Sequence, residues 1–289
     1  VVVYRAIAMG QFRRFGRALA AESAKPWDAE LSFALPFGLL NATIGMGLLV
    51  RRHMHLYGTT TRQLGAVAVT FRRHANRNRK AIMRGKPMTL EDHERSRMIA
   101  EPFRLLDCCL ESDGACAVVL TSAERARDLR RPPVTVMGAA QGMGPRAGLG
   151  AWASHYLPDE DYATGWTRTV AEDLYRMAGV GPEDVDVAQI YDHYSGMVIL
   201  QLEDFGFCKR GEGGPFVESG AIAGPEGRLP VNTAGGSLSE AYIHGLNHVV
   251  EGVKQLRGTS TCQARDPEIC LVSSGSGIPT SAVLLRRAS

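Results

Sequence analysis

Val185-Asp186-Val187-Ala188-Gln189-Ile190 runs directly into Tyr191-Asp192-His193-Tyr194-Ser195-Gly196, and the change of character between the two halves sets the fold. The first six residues read as a strand covered on its faces. The next four side chains are ionisable or hydrogen-bonding and stand in a row where that strand ends. Residues 195–205 then carry a helical apolar period. Outward from this junction, a strand (134–140) and a helix (162–178) precede it. A Gly-rich insertion, a strand near 228–232, a helix (237–256) and two closing strands (268–273 and 279–286) follow. Strands alternating with amphipathic helices predict an α/β sheet covered on both faces. In such folds ligands bind at the carboxyl ends of strands.

The part before Arg131-Pro132-Pro133, the clearest linker, is less regular. Val1-Val2-Val3-Tyr4 has the look of a buried strand. It begins without Met and without a signal-peptide n-region, so the chain is expected to start inside a domain, with strands and helices of that domain missing before it and poor stability on its own. Pro26 and Pro36 break the next segment into short pieces, with an apolar helix near 40–50. Thr60-x-x-Gln63 resembles a capping box, and Leu64, Val67, Ala68 and Phe71 follow at helical spacing. The basic run Arg72 to Lys80 closes that helix and reads as a solvated end, or alternatively as a phosphate-receiving one. A buried strand is expected at 116–120 and a short charged helix at 122–130.

Composition removes several function classes. With 289 residues, 45% hydrophobic and 22% charged, the chain can bury a large core and is no disordered segment. It has no apolar run long enough for a membrane helix. A net charge of +3 is slight for this length and argues against a general nucleic-acid binder. The six cysteines form no CxxC pair, and the vicinal Cys108-Cys109 reads as reduced thiols of a cytoplasmic protein.

Three clusters at strand–helix junctions carry chemistry. Tyr191 to Ser195 is poor core material, because each buried polar group without a partner costs roughly 1–3 kcal/mol. The plain alternative is a helix start, capped by Asp192 or Ser195. The second cluster, Asn232-Thr233-Ala234-Gly235-Gly236-Ser237, leads into a helix capped by Ser237-x-x-Glu240. Tyr242 would lie one turn in, where the helix N-terminus favours an anionic or polarised ligand. His244 and His248 stand at i, i+4, but no Glu between them and no third ligand point to metal. Ser273-Ser274-Gly275-Ser276-Gly277 is a small-residue turn, a place for close backbone approach.

In this order the clusters resemble the thiolase superfamily, and within it the sterol-carrier-protein-type thiolase-like proteins. Tyr57-Gly58-Thr59-Thr60 and Leu106 to Ala117 are similar to the family's loop-domain and "CCPTSDGAAA" segments. Tyr191 to Ser195 stands where the family carries "HDCFS". Gly235-Gly236 and Ala241-Tyr242-Ile243-His244-Gly245 stand at "GG" and "GHPLG", and Ser273 to Gly277 at the "CxGGG" turn. The resemblance implies an α/β, thiolase-like fold, five layers αβαβα in intact members. It implies that residues 1–130 are the remainder of an N-terminal half with a loop domain inserted over about 10–105, and that 131–289 are the C-terminal half.

The departures are chemical. The family's catalytic His position holds Tyr242, and the second Cys position holds Ser273. Phenol and hydroxyl are far weaker acids than a thiol poised near neutrality. That pattern is similar to the actinobacterial lipid-transfer-protein branch, which resembles steroid side-chain aldolases. The resemblance implies retro-aldol cleavage of a 17-hydroxy steroid-20-carboxyl-CoA to a 17-keto steroid and propionyl-CoA, with no cofactor beyond the CoA thioester of the substrate. It implies a thiolase-type homodimer and a small OB-fold, zinc-binding partner, with no nucleic acid and no membrane involved. The expected acid/base residues are Tyr242 with Tyr191 or Tyr194. Tyr191 ranks first because it stands in the register of the family's site His. Asp192 and His193 would orient them, and His244, Gly236, Ser273 and Gly275 would meet substrate. A thiolase-type acyltransferase and a non-catalytic acyl-CoA or sterol binder remain the competing readings.

Overall fold

A computed structural model describes residues 1–10, 35–39, 41–142, 163–275 and 280–288. Pro26, Ser276 and Gly277, together with the expected first residue of the 162–178 helix, lie outside them.

The main sheet has four strands: β5 (Val134–Gly142), β6 (Val187–Gln189), β7 (Ile269–Ser274) and β8 (Thr280–Arg287). Their spatial order is β5-β8-β7-β6. β6 and β7 are parallel, pairing Val187 with Cys270 and Gln189 with Val272, whereas β8 runs antiparallel to both its neighbours. The period of two along β7 assigns its faces. Ile269 and Leu271 join one core with Val170 and Leu174 of α5 (Arg168–Ala178) and the apolar residues of α6 (Ser195–Asp204). Cys270 and Val272 join another with Leu256 of α9 (Leu246–Leu256). Helices thus cover both faces, as expected, and α6 starts one turn beyond β6.

The strand expected near 228–232 shrinks to a single parallel bridge between Ala188 and Val231. Asn232, whose φ is +49°, continues the pairing with its side chain. Its Oδ1 accepts from the Ile190 amide (2.7 Å) and its Nδ2 donates to the Ile190 carbonyl (2.8 Å). Within the Gly-rich insertion, Gly213–Glu218 forms a short helix, α7.

On the other side of the linker, β1 (Val2–Ala8) pairs antiparallel with β4 (Asp113–Val119). Between these two strands in sequence lie α1 (Ala42–Tyr57), α2 (Thr61–Arg77), α3 (Leu90–Arg95) and the small β2–β3 pair (Met98–Ala100 and Phe103–Arg104). α4 (Ala123–Arg127) follows β4, capped by Ser122. The expected capping box of α2 forms, with Thr60 Oγ1 accepting from the Gln63 amide and Gln63 Oε1 from the Thr60 amide.

Three expectations change. Val2 to Tyr4 lie in a strand, but an exposed one, with Val2 61% and Tyr4 73% accessible; β4, expected to be buried, ends equally open at Val119. The basic run is a solvated helix end only in part: Arg73, Arg77, Arg79 and Lys80 are exposed. Arg72 is buried and donates to Ser239 Oγ and the Lys86 carbonyl, and His74 bonds the Asn232 carbonyl and the Gly224 amide. The third change lies at the site: the helix expected over 237–256 is two helices, α8 (Gly236–Ser239) and α9, with a turn between them.

Candidate active site

Gly235 and Gly236 stand at the start of α8, and His244 and Gly245 just before α9, all four with φ between +50° and +110°, a region that the interior of a continuous α-helix does not hold. The apolar stripe from Leu238 to Val253 therefore spans two helices, and Tyr242 projects from the turn joining them, not from a helix N-terminus. The expected Ser237/Glu240 capping box does not form. Instead the Ser237 and Leu238 amides donate to the Asp192 carboxylate at 2.8 and 3.1 Å. A Cβ on Gly236 would sit 2.2 Å from that carboxylate, so only glycine lets the backbone come this close. The buried Asp192 also lies 3.0 Å from His248 Nε2. It is thus the tie between strand exit, glycine turn and α9.

This tie brings two of the predicted tyrosines together. Tyr191 Oη and Tyr242 Oη are 2.7 Å apart, with the rings edge-on at 6.3 Å. Tyr242 is 5% accessible and Tyr191 half-buried, so the pair sits under the surface with one member reaching it. The backbone of Tyr191 is held on both sides. Its amide donates to Ser273 Oγ (2.9 Å), its carbonyl accepts from Gln201 Nε2 (2.8 Å), and Ser273 Oγ in turn donates to Gln201 Oε1 (2.8 Å). The Tyr242 amide donates to Ser112 Oγ at 3.0 Å.

The other predicted residues divide differently. The Tyr194 hydroxyl bonds Thr43 Oγ1 (2.8 Å) and its ring stacks on Phe103, so the structure does not join it to the Tyr191–Tyr242 bond. His193 packs its ring between Tyr191 and Tyr194. Ser273, expected to meet substrate, is fully buried and holds Tyr191 in place. Gly236 serves Asp192 in the same way, and the Gly275 carbonyl accepts from Thr280. Neither Asp192 nor Ser195 caps α6; Ser195 Oγ donates to Asp107 Oδ1 (2.5 Å), which also meets His93 Nε2 (2.7 Å). His244 is exposed at the rim, edge-on to Tyr242 and hydrogen-bonded to Arg5.

The electrostatics around the pair favour neutral groups. Burial pushes Tyr191, Tyr194 and Tyr242 all above the usual phenol range. Burial holds His193 down at about 4 despite the neighbouring Asp192. Cys109 has its thiol pushed up by burial and then by Asp192. Cys108 is pushed up to about 12 by burial and by Asp107. Neither vicinal thiol is a thiolate near neutral pH, so neither has the character of a thiolase nucleophile. Sequence reasoning gave no site role to Cys109, Ser112, Gln201 and Thr43, and saw His248 only as half of a metal pair. All five contact the site through partners far away in sequence. Among the described residues no group of three metal-ligating side chains converges. A cavity of about 430 Å³ lies at the other end of α6, lined by Arg168, Tyr175, Asp204 and Lys209 among others, and shares no residue with the tyrosine pair.

A strand exit facing a glycine turn, on a sheet with helices on both faces, is the arrangement expected of a thiolase-like fold. Residues 148–285 match the family model described as thiolase C-terminal domain-like. The chain is 46% identical over 287 residues to a 17-hydroxy-3-oxo-4-pregnene-20-carboxyl-CoA lyase of Mycobacterium tuberculosis, covering 99% of this chain and 73% of that protein. It is 43% identical to a steroid side-chain-cleaving aldolase of Thermomonospora curvata, covering 99% and 72%. A solved structure named as an Ltp2-ChsH2(DUF35) aldolase superposes with a TM-score of 0.89 at 42% identity, over 99% of this chain and 72% of that one. The chain belongs to the steroid side-chain-cleaving aldolases of the thiolase-like fold. No helix of the described residues is long and apolar enough to cross a membrane.

Proposed function

We propose that this chain is a carbon–carbon lyase that cleaves a 17-hydroxy steroid-20-carboxyl-CoA into a 17-keto steroid and propionyl-CoA, with Tyr191 and Tyr242 as its acid/base pair. The observation that carries the reading is the 2.7 Å contact between the two hydroxyls at the strand exit. The bond that breaks joins the hydroxyl-bearing carbon to the carbon α to the thioester. As the hydroxyl loses its proton, its C–O bond becomes a carbonyl and the breaking pair moves into the thioester enolate. Protonation of the α carbon then gives the saturated thioester. One proton leaves an oxygen and one arrives at a carbon, so the reaction redistributes a proton and needs neither oxidant nor covalent acyl-enzyme.

Two touching phenols suit that balance. Tyr191, the half-buried member, takes the hydroxyl proton while passing its own to Tyr242, and Tyr242 delivers one to the α carbon. Because burial raises both pKa values, a lasting phenolate is disfavoured and the concerted relay is the cheaper route. Asp192, Ser273 and Gln201 position the pair, and Tyr194 with Phe103 forms a wall beside it. A homodimer through the thiolase-type core and a DUF35-type partner, as in the name of the Ltp2-ChsH2 relative, belong to this reading. So do a zinc-binding OB-fold in that partner and a cytoplasmic location.

The test is turnover of a 17-hydroxy steroid-CoA, with and without such a partner, by Tyr191→Phe and Tyr242→Phe. Each variant is expected to bind the thioester and to lose roughly 10²–10⁴-fold in kcat. Near-normal turnover in either removes that tyrosine from the chemistry. Acyl transfer between CoA thioesters without cleavage would favour the acyltransferase instead.

A further inference from the structure

The turn that carries Tyr242 rests on the two-stranded β1–β4 ribbon. Ile243 Cδ1 comes within 2.9 Å of where a Cβ on Gly114 would stand, and the Tyr242 amide is tied to Ser112. This contact places Arg5, opposite Cys116 in the ribbon, against His244. A nitrogen of the guanidinium bonds His244 Nδ1, and the imidazole stands at 88° to the Tyr242 ring with centroids 5.0 Å apart.

The chemistry of that bond fixes a tautomer. A guanidinium has N–H donors and no acceptor. Nδ1 must therefore be the accepting nitrogen, and the single hydrogen of neutral imidazole is on Nε2. Burial, and then the Arg5 charge, also hold His244 below its ordinary pKa, which favours the neutral ring. Arg5 from β1 is a charged group against His244, and Tyr242 in its own turn is a titratable one. A neutral imidazole with its N–H turned away from a fixed positive charge is a polarised donor, the kind of electrophile that stabilises a developing oxyanion.

We propose that Arg5 is a positioning residue of the Tyr191–Tyr242 site: it locks His244 as the neutral, Nε2-protonated tautomer, and the polarised pair stabilises negative charge on a thioester oxygen brought beside Tyr242. The substrate in this statement rests on the lyase reading above; the tautomer does not. Arg5 and His244 are both exposed, so solvent screens the charge. Its effect on rate is accordingly about tenfold, not the hundredfold or more of a buried oxyanion donor.

The experiment is nitrogen NMR on the complete protein labelled in histidine, alongside steady-state cleavage of the steroid-CoA. In the wild type His244 should show an acceptor-type Nδ1 and a protonated Nε2 from pH 6 to 8, about the range where an ordinary imidazole titrates. Arg5→Met should mix the two tautomers, raise the titration midpoint and lower kcat about tenfold, with KM changed by less than about threefold. Arg5→Lys should recover part of kcat. An unchanged tautomer and midpoint in Arg5→Met overturns the inference, and so does a changed tautomer with wild-type kcat. If the wild type itself cleaves no steroid-CoA, the lyase reading fails separately, while the nitrogen shifts still decide whether Arg5 fixes His244.

Discussion

The carboxylate of Asp192 and the imidazole of His248 lie 3.0 Å apart, both excluded from solvent, and the same carboxylate accepts the amides of Ser237 and Leu238. The strand exit therefore meets, on one side chain, both the glycine turn and α9, which are 45 residues or more further along the chain. Asp192→Asn keeps the volume but replaces one acceptor oxygen by a donor, so at least one amide or the imidazole loses its partner in a dry site. We expect a loss of about 2–4 kcal/mol, measured by urea denaturation. Turnover should fall as well, because the 236–245 segment carries Tyr242. Stability within half a kcal/mol of wild type, a roughly neutral outcome for a surface change, would show that the carboxylate is not the tie described.

Ser273 gives a contrasting case. Its hydroxyl bridges the Tyr191 amide and Gln201 Oε1 inside the protein. Ser273→Ala leaves both unsatisfied and should cost roughly 1–3 kcal/mol, with a smaller drop in kcat than Tyr191→Phe because the phenol itself survives. Ser273→Cys restores the thiol of the family pattern, yet should not create acyl transfer, since burial keeps both Cys108 and Cys109 from being thiolates near neutral pH. Appearance of thioester exchange in this variant would contradict the assignment of Ser273 as a positioning group.

Much of the site was legible where local sequence and tertiary demand agree. The run of polar side chains after Ile190 marks a strand exit whatever surrounds it, and Tyr191 and Tyr242 could be paired through the family register. The helix over 237–256 was misread because Leu238, Ala241, Gly245, Val249 and Val253 keep a helical period. What breaks that period is Asp192, which takes the amides of Ser237 and Leu238, together with the left-handed backbone of His244 and Gly245. Gly235, Gly236 and Gly245 were the available signal. Arg72 and His74 were read as solvent-facing for a similar reason. Their partners, Ser239 and Asn232, stand more than 150 residues away, and no local pattern announces them.

The buried His74 predicts a pH dependence. Burial lowers its pKa in the folded state to about 4, against an ordinary value of 6.5. Between these values the unfolded chain takes up a proton that the folded one refuses. Stability contributed by the neutral ring is therefore fully present above pH 6.5 and is lost as pH falls toward about 4. Asp204, raised to about 6 by burial, has the opposite slope over part of this window. Comparing wild type with His74→Gln cancels that contribution. The variant should lose up to about 1.4 kcal/mol per pH unit of slope over the window, whatever its stability at neutral pH. Parallel curves for the two proteins would mean that His74 titrates normally in the fold.

If the two phenols act as one relay, their removal should not be additive. A proton passed from Tyr191 to Tyr242 needs both hydroxyls, so taking away either one interrupts the same path. Residues that work as a unit show this in a double-mutant cycle: the second substitution costs little once the first has been made. Tyr191→Phe/Tyr242→Phe should accordingly cleave the steroid-CoA at a rate within about threefold of the slower single variant. Independent roles, with one tyrosine as base and the other as a separate enolate donor, would instead multiply the losses, bringing the double variant roughly 10²-fold or more below either single. Both phenylalanines keep the rings and remove the shared hydrogen bond. The comparison therefore separates a relay from two unconnected groups without asking which hydroxyl donates in the resting enzyme.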